Sequence, residues 1–240
     1  MVSILIPVFN EEQILRNHVQ KLGAYLVSLE IPFEVLLVDN GSTDGTLVLI
    51  ESLEGEHPWI KAISIPKKSV GLAFARGVEA AKFPNLISMD ADLSVELSFI
   101  EQALRLLVNA SMVVGSKTMG TQKRSWIRVL GSQIYLLITQ VLFHMVITDF
   151  SMGAKAYKRD SLLPILGEID DWTAYVFEIC VWLNLNQQSI IQIGVRCNDQ
   201  RKSRFNIWHE GLYRYQNLFK VWLKLRDPQS WFHRIRLNPS

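Results

Sequence analysis

Short apolar runs alternate with longer segments of helical spacing through the first half of this 240-residue chain. The runs have the length of buried strands, and the segments between them carry apolar residues three or four positions apart. This alternation is typical of βαβ units, which build a mostly parallel sheet with helices on both faces. The predicted strands are 2–8, 33–39, 59–65, 85–90 and 111–116, and the predicted helices are 11–29, 44–54, 70–82 and 95–109.

The second half is less regular and differs in charge. It contains an apolar segment, an extended stretch, a helix and a strand, at 125–147, 149–157, 172–184 and 189–195. Residues 1–115 carry 8 Lys/Arg and 14 Asp/Glu, a net charge of −6, whereas residues 116–240 carry 17 and 9, a net charge of +8. No linker or repeat separates the halves, so we predict one domain, 1–240, with an acidic first lobe and a basic second lobe that meets an anionic partner.

Composition excludes several classes of protein. An apolar fraction of 49% and a charged fraction of 20% rule out disordered and fibrous chains. Cys180 and Cys197 lack CxxC spacing, which excludes a disulfide scaffold and a cysteine zinc site and favours the cytoplasm. GSTDGT has no lysine after its last glycine, and GLAFARG lacks GxGxxG spacing, so P-loop and dinucleotide sites are excluded too.

Acidic side chains follow two of the predicted strands. In parallel sheets, ligands bind beyond the carboxyl ends of the strands. Asp90 and Asp92, separated by Ala91, are oxygen ligands of the kind that Mg²⁺ or Mn²⁺ prefers. An isolated Asp-x-Asp is equally typical of a capped loop. Asp39 ends another strand before a glycine-rich turn, which lets the chain approach a base and ribose closely.

Four motifs in this order, SILIPVFNEE, VLLVDNGSTDGT, SVGLAFARGVEAA and SMDADLS, resemble the family 2 glycosyltransferases, and most of all their dolichyl-phosphate or polyprenyl-phosphate mannosyltransferases. The resemblance is dense over 1–116 and thinner through VVGSK, TDFSMGAKAYKRD, YVFEICVWL and QRKSRF. It implies the GT-A fold, a Rossmann-like, mostly parallel central sheet flanked by helices, with a smaller C-terminal acceptor lobe. Residues 1–116 would bind the nucleotide sugar, and 117–240 would face acceptor and membrane.

The resemblance also implies an activity and a set of site residues. The activity is inverting transfer of a hexose from GDP-mannose or a UDP-sugar to a polyprenyl or dolichyl phosphate or a similar membrane-associated acceptor. The Asp90-Ala91-Asp92 motif would bind Mg²⁺ or Mn²⁺ on the diphosphate. The positions matching the base and ribose pocket are Pro7, Phe9, Glu11 and Asp39, and those matching phosphate-contacting basic residues are Lys117, Arg128, Arg201 and Arg204.

Catalysis follows from the charges in such a reaction. The leaving nucleoside diphosphate is stabilised by a cation held at Asp92 and by basic groups such as Lys117. A lipid phosphate acceptor is already anionic and needs no strong base. A hydroxyl acceptor needs one, and Asp149 and Glu178 are candidates by position. Alternatively, Asp149 caps a turn and Glu178 pairs with an arginine inside the fold.

Three departures from the family pattern keep a second hypothesis open. Asn40, Ser94 and Lys117 stand where the family often has Asp, Gln and Arg. A non-catalytic protein that binds nucleotide sugars or a partner through the same fold would tolerate such changes. A nucleotidyltransferase on a similar sheet is a third hypothesis.

Two amphipathic segments predict a peripheral membrane protein. Polar residues recur on one side of 129–147, which favours a helix lying at an interface rather than spanning the bilayer. Near the C-terminal end an aromatic stripe with basic neighbours extends from Trp208 to Trp222. These stripes would also suit packing within the core, a homodimer interface or contact with a separate membrane subunit. No nucleic-acid-binding motif accompanies them, so we expect no nucleic acid partner.

Overall fold

The computed structural model describes residues 1–117, 126–197 and 207–227, with backbone alone for 126–130 and 207–210. The strands are β1 (Val2–Val8), β2 (Phe33–Asn40), β3 (Ile60–Ile65), β4 (Asn85–Ser88), β5 (Met112–Ser116), β6 (Lys155–Lys158) and β7 (Ile190–Gly194). The α-helices are α1 (Glu12–Ser28), α2 (Thr46–Glu56), α3 (Val70–Ala80), α4 (Ser98–Leu106), α5 (Trp126–Phe143), α6 (Tyr175–Leu185) and α7 (Ile207–Lys224).

In the described part of the chain the strands form one seven-stranded sheet in the order β3-β2-β1-β4-β6-β5-β7. The pairings are parallel except those of β6, which runs antiparallel to both β4 and β5. β1 lies between β2 and β4, with Ile4 opposite Val35 on one side and Ile87 on the other. The prediction of a mostly parallel, helix-flanked α/β sheet is therefore confirmed.

Each face of the sheet is covered by its own hydrophobic layer. Ile4 and Ile6 of β1 pack into a cluster with buried residues of α1, α2 and α4. Leu5, between them in sequence, packs on the opposite face with buried residues of α3, α5, α6 and α7. Because both faces are covered, the central strands β1 and β2 are buried along most of their length and are mainly apolar instead of alternating between apolar and polar residues.

The extended stretch predicted at 149–157 is only partly a strand. Regular pairing begins at Lys155, whereas residues 149–154 form a turn held by side-chain hydrogen bonds of Asp149. The strand is short because an aspartate that accepts hydrogen bonds from the next backbone N–H groups competes with extended pairing. The turn brings the start of β6 to the edge where the parallel strands end.

The start of α3 is packed closely against the segment before α6. The carbonyl oxygen of Asp171 accepts hydrogen bonds from Gly71 N at 2.8 Å and from Ser69 Oγ at 2.6 Å. The bond from Gly71 N satisfies a donor that a helix start leaves without an intrahelical partner, and the bond from Ser69 Oγ adds a side-chain contact. A Cβ atom on Gly71 would overlap the backbone carbonyl of Asp170. The helix can lie this close only because residue 71 is glycine.

Gly71→Ala is expected to lower the free energy of unfolding by about 1–3 kcal/mol, the usual cost of overpacking a filled interior. The matched variant is Gly55→Ala near the end of α2, where an added Cβ meets no atom within 4 Å. Alanine has the better helix propensity there, so stability should rise by up to about 1 kcal/mol. Urea unfolding measures both values, and equal effects at the two sites would contradict the packing argument.

Candidate functional site

Polar and charged side chains collect at one edge of the sheet. Asp39 lies at the end of β2, Asp90 and Asp92 follow β4, and Lys117 follows β5. These strands are parallel, so their carboxyl ends share one edge. β6 is antiparallel, and its first end reaches the same edge together with the turn that contains Asp149. The structure thus brings four acidic candidates and Lys117 to one edge of the sheet; the four are Asp39, Asp90, Asp92 and Asp149.

The donor half of this edge is built around Asp39. Asp39 is buried, and its carboxylate accepts hydrogen bonds from Ser42 N at 3.3 Å and Ser64 Oγ at 3.5 Å. Pro7, in the neighbouring strand β1, is half-buried and pairs with Val38, the residue before Asp39. The backbone N–H of Glu11 donates to Thr46 Oγ1 at 2.9 Å, so the loop after β1 is tied to the start of α2.

Phe9 lies at the rim of the same half. The ammonium nitrogen of Lys68 stands 4.1 Å from the centre of the Phe9 ring and 6.0 Å from the ring of Trp172. Both distances are within the range of a cation–π interaction. Sequence reasoning missed Lys68 and Trp172, because they lie 59 and 163 positions from Phe9 in a chain whose motifs identify only local neighbours. A base stacked on Phe9 would meet a positive charge there.

The carboxylates after β4 lie in a tight turn. Asp92 accepts a hydrogen bond from Ser94 N at 3.0 Å, and Leu93 between them has a φ of +48°. Asp90 lies so close to Gly153 that any Cβ on residue 153 would overlap its carboxylate. Ala91 is buried, and its carbonyl oxygen is 3.1 Å from His18 Nδ1. The turn therefore fixes both carboxylates while burying the residue between them.

This donor set fits a hard divalent cation. Two carboxylates are a common protein contribution to a Mg²⁺ site, in which water and substrate phosphates supply the other ligands. Across residues 1–117, 126–197 and 207–227 no group of three or more His, Cys, Asp or Glu side chains is arranged to hold a metal. Asp90 and Asp92 are the side chains at this edge that could hold such a cation.

Asp149 shapes the turn before β6. One carboxylate oxygen accepts hydrogen bonds from Ser151 N at 2.9 Å, Ser151 Oγ at 2.8 Å and Met152 N at 3.1 Å. The other accepts from Lys117 N at 3.3 Å. Asp149 thus caps a turn, as one sequence interpretation proposed. Its carboxylate also joins the end of β5 to the start of β6, so Asp149 stays a candidate base by position.

Lys155 is a further charged group that sequence reasoning missed. Its side chain is buried in β6, and its ammonium donates a hydrogen bond to Met152 O. Burial lowers the pKa of Lys155, while the carboxylates of Asp149 and Asp90 act in the opposite direction. The ammonium therefore lies within electrostatic range of both the candidate base and the candidate metal ligand. The available signal was a lysine within the apolar stretch GAKAY.

Glu178 lies inside the fold and not among the edge residues. One of its oxygens accepts a hydrogen bond from Asp170 N, and the other accepts from Asn217 Nδ2 at 3.1 Å. Burial raises the pKa of Glu178 and nearby Asp170 adds to this effect, whereas the hydrogen bonds from Asn217 and from Asp170 N oppose it. The bond to Asn217 connects α6 to α7, so Glu178 helps to position α7.

The remaining predicted residues fall into two groups. Asn40 is buried, and its side-chain oxygen accepts a hydrogen bond from Ser69 N at 2.6 Å, which fixes the start of α3. An amide oxygen serves here as well as a carboxylate would, so this departure has a structural use. Arg201 and Arg204 lie outside the described residues, and so does the side chain of Arg128, whose backbone belongs to α5.

A family model described as Glycosyl transferase family 2 matches residues 3–165. The chain belongs to this family. Two similar sequences are undecaprenyl-phosphate 4-deoxy-4-formamido-L-arabinose transferases. The one from Aeromonas hydrophila is 30% identical over 161 residues, and the one from Pseudomonas syringae is 28% identical over 160. The matches cover 66% of this family 2 chain but 49% and 47% of those relatives, about half of their length.

Similar solved structures support the GT-A fold of this family 2 glycosyltransferase. Glucosyl-3-phosphoglycerate synthase from Mycobacterium tuberculosis, in complex with Mn²⁺, UDP and phosphoglyceric acid, superposes with a TM-score of 0.69 at 16% identity. The match covers 92% of this chain and 78% of that one. The complex of the same enzyme with Mn²⁺ and UDP-glucose gives a TM-score of 0.68 at 14% identity, with 92% and 77% covered.

Glu178→Gln is expected to change how stability depends on pH. Because the pKa of Glu178 is raised in the folded protein, its protonated form stabilises the fold. This contribution to the free energy of unfolding is complete below pH 4.5, the ordinary pKa of a glutamate, and is lost as pH rises through the pKa in the folded protein. Glutamine does not titrate. Its oxygen can keep the hydrogen bond from Asp170 N, and once the Asn217 amide turns over, the glutamine NH₂ can donate to Asn217 Oδ1, which accepts no hydrogen bond in the described structure. The variant should therefore match the wild type in acid and exceed it by about 1 kcal/mol near neutrality.

Chemical denaturation from pH 4 to 8 measures this difference. Glu168→Gln, at an exposed position, is the control and should stay within about 0.5 kcal/mol of the wild type throughout. A constant offset between Glu178→Gln and the wild type at every pH would contradict the assignment. Loss of sugar transfer in a stable Glu178→Gln variant would return Glu178 to the candidate bases.

Proposed function

We propose that this chain transfers a hexose, with inversion, from GDP-mannose or a UDP-sugar to a polyprenyl phosphate or a similar membrane-associated acceptor. The observation that carries the proposal is the single sheet edge that brings together Asp39, the pair Asp90 and Asp92, and the Asp149 turn beside Lys117. The names of the sequence relatives support the polyprenyl phosphate acceptor. The complexes of the structural neighbours with UDP and UDP-glucose support a nucleotide-sugar donor.

The donor would lie across the first half of the edge. Phe9 offers a ring for base stacking, and Asp39 offers carboxylate oxygens for ribose or base hydrogen bonds. Asp90 and Asp92 would hold Mg²⁺ or Mn²⁺ together with the diphosphate, in keeping with the Mn²⁺ complexes of the structural neighbours. The cation would supply charge neutralisation for the nucleoside diphosphate that leaves. A donor held in this way would present its anomeric carbon toward the β5 and β6 side of the edge.

The acceptor would approach from that side. A phosphate monoester oxygen is anionic near neutral pH, so it attacks the anomeric carbon without a strong base, opposite the leaving diphosphate. Lys117 would stabilise the phosphate charges, and the family resemblance assigns similar contacts to Arg128, Arg201 and Arg204. For a hydroxyl acceptor, Asp149 is the carboxylate placed to take the proton.

Two of the three departures from the family pattern lie at positions whose observed contacts do not require the usual family residue, so they do not count against the enzyme. Asn40 supports the start of α3 by accepting from Ser69 N, and Ser94 completes the turn of Asp92 through its backbone N–H. Neither contact needs an Asp or a Gln at these positions. Lys117 keeps the positive charge of the usual arginine, although it gives up the guanidinium fork.

An exposed apolar face supports membrane contact. Ile134, Leu137 and Val141 follow one stripe of α5, and their side chains are exposed. Of the polar residues on one side of this segment, Gln133, Gln140 and His144 are exposed as well, whereas Thr139 is buried. Tyr135, on the inner side of α5, packs against aromatic rings of the core and of α7.

The second stripe of this face lies on α7. Leu212, Phe219 and Leu223 are exposed, and Lys220 and Lys224 line a shallow groove beside Phe219. We call the exposed stripes of α5 and α7 the apolar face. No helix among the described residues is long and apolar enough to cross a membrane. We infer a peripheral protein on the cytoplasmic face of a membrane, whose anionic headgroups would attract the lysines.

Asp92→Ala is expected to abolish the Mn²⁺-dependent thermal stabilisation by UDP or GDP, because one of the two candidate metal ligands is lost. Transfer to a polyprenyl phosphate should fall by about 100-fold or more, the loss expected when a group that neutralises leaving-group charge is removed. Asp160→Asn, at an exposed position after β6, is the control and should behave like the wild type.

Full transfer by Asp92→Ala would overturn the metal assignment. A nucleotide that binds with Mn²⁺ but is never transferred to any acceptor would favour the non-catalytic hypothesis. Release of pyrophosphate in place of a nucleoside diphosphate would identify a nucleotidyltransferase.

The double variant Phe219→Ser and Leu223→Ser should weaken binding to phosphatidylglycerol vesicles by about 10- to 100-fold, because two apolar side chains no longer enter the lipid. Co-sedimentation measures the partition coefficient. The control replaces two exposed valines elsewhere, Val48 and Val108, by serine and should bind as the wild type does. The face would instead be a dimer interface if the double variant binds vesicles as the wild type does and if the wild type has the mass of a dimer while the variant does not.

A further inference from the structure

A small pocket opens beside the Asp149 turn, between the sheet edge and the helices that carry the apolar face. Asp149 and Ser151 form one wall, Ser132 and Leu136 of α5 form another, and Arg214 of α7 completes it. The pocket therefore combines a guanidinium, hydroxyl groups and an apolar side chain. Arg214 is not among the residues that the family motifs identify.

Two contacts on either side of Arg214 fix its position on α7. The hydroxyl of Tyr213 donates to Asp170 Oδ1, and the side chain of Asn217, one turn later, donates to Glu178 at 3.1 Å. These bonds hold α7 against the segment before α6 and against α6 itself. α7 cannot turn about its axis without breaking both, so its inner face presents Arg214 to the pocket.

The charge of Arg214 reaches the buried cluster at the sheet edge. Burial is the main cause that lowers the pKa of Lys155, and the positive charge of Arg214 acts in the same direction. Burial is also the main cause of the raised pKa of Tyr175. The charge of Asp90 raises this pKa further, and the charge of Arg214 lowers it. Arg214 therefore lies within electrostatic range of the groups beside the proposed metal site, although it comes from the opposite end of the chain.

We propose that Arg214 binds the phosphate monoester of the lipid acceptor. This inference rests on the proposed function and adds a residue to its acceptor side. A guanidinium presents paired N–H donors to phosphate oxygens, and Ser132 adds a hydroxyl. Asp149 would repel a phosphate, but its oxygens accept hydrogen bonds from Ser151, Met152 and Lys117 N, and Lys155 offsets its charge. Leu136 would meet the first isoprene unit.

The other source of phosphate in such a reaction is the donor diphosphate, and the experiment separates the two. Binding of farnesyl phosphate, a short soluble polyprenyl phosphate, is measured by titration calorimetry beside farnesol and inorganic phosphate. Binding of UDP and GDP with Mn²⁺ is measured in parallel. The variants are Arg214→Gln and Arg214→Lys, and the control is Arg105→Gln, an exposed arginine of α4.

Arg214→Gln is expected to weaken farnesyl phosphate binding and to raise the KM for the lipid acceptor by about 10- to 100-fold, because charge-assisted hydrogen bonds are lost. Nucleotide affinity should stay within about twofold. Arg214→Lys should recover part of the loss by restoring the charge, and thermal unfolding establishes that each variant is folded. Arg105→Gln should leave both affinities unchanged.

Two results would overturn the assignment of Arg214 while leaving the proposed function intact. One is unchanged acceptor affinity in a folded Arg214→Gln variant of an enzyme that transfers sugar. The other is a loss of nucleotide affinity as large as the loss of acceptor affinity, which would place Arg214 on the donor diphosphate. A wild type that binds farnesyl phosphate no better than farnesol and transfers no sugar would overturn the proposed function, and the assignment with it.

Discussion

The buried ammonium of Lys155 is the constraint around which the polar edge of the sheet is arranged. A cation removed from water is costly, and the hydrogen bond to Met152 O and the nearby carboxylates of Asp149 and Asp90 offset part of that cost. The hydrogen bond to Met152 O ties the ammonium to the turn before β6. Gly153 of that turn lies against Asp90, so the groups proposed to act on donor and acceptor surround one buried charge.

A chain of hydrogen bonds joins this edge to the C-terminal helix. Asn40, at the end of β2, holds Ser69, and Ser69 in turn donates to the carbonyl of Asp171. The neighbouring Asp170 accepts a hydrogen bond from Tyr213 of α7. These hydrogen bonds therefore connect α7 to the loop next to the proposed nucleotide pocket. They join the acidic first half of the chain to its basic second half.

Local pattern predicted much of the fold, because apolar runs and helical spacing are local properties. β1 to β5 and α1 to α4 lie within three residues of their predicted bounds, and the motif order identified the family. What the pattern missed depends on distant partners. Lys155, Lys68 and Arg214 are placed by tertiary packing, and Glu178 supports α7 through Asn217, which no spacing rule in the sequence connects to it.

The reversed direction of β6 has a consequence for how this site can change. The donor motifs lie where the chain leaves the sheet, after β1, β2 and β4, whereas the Asp149 turn lies where the chain enters it. The two sets of loops are separate in sequence, yet they meet at one edge. Under the proposed function, substitutions in the entering loop would alter acceptor preference without changing the nucleotide motifs, as long as Gly153 stays against Asp90. One strand running backwards thus brings two sets of loops, far apart in sequence, into contact at a single edge.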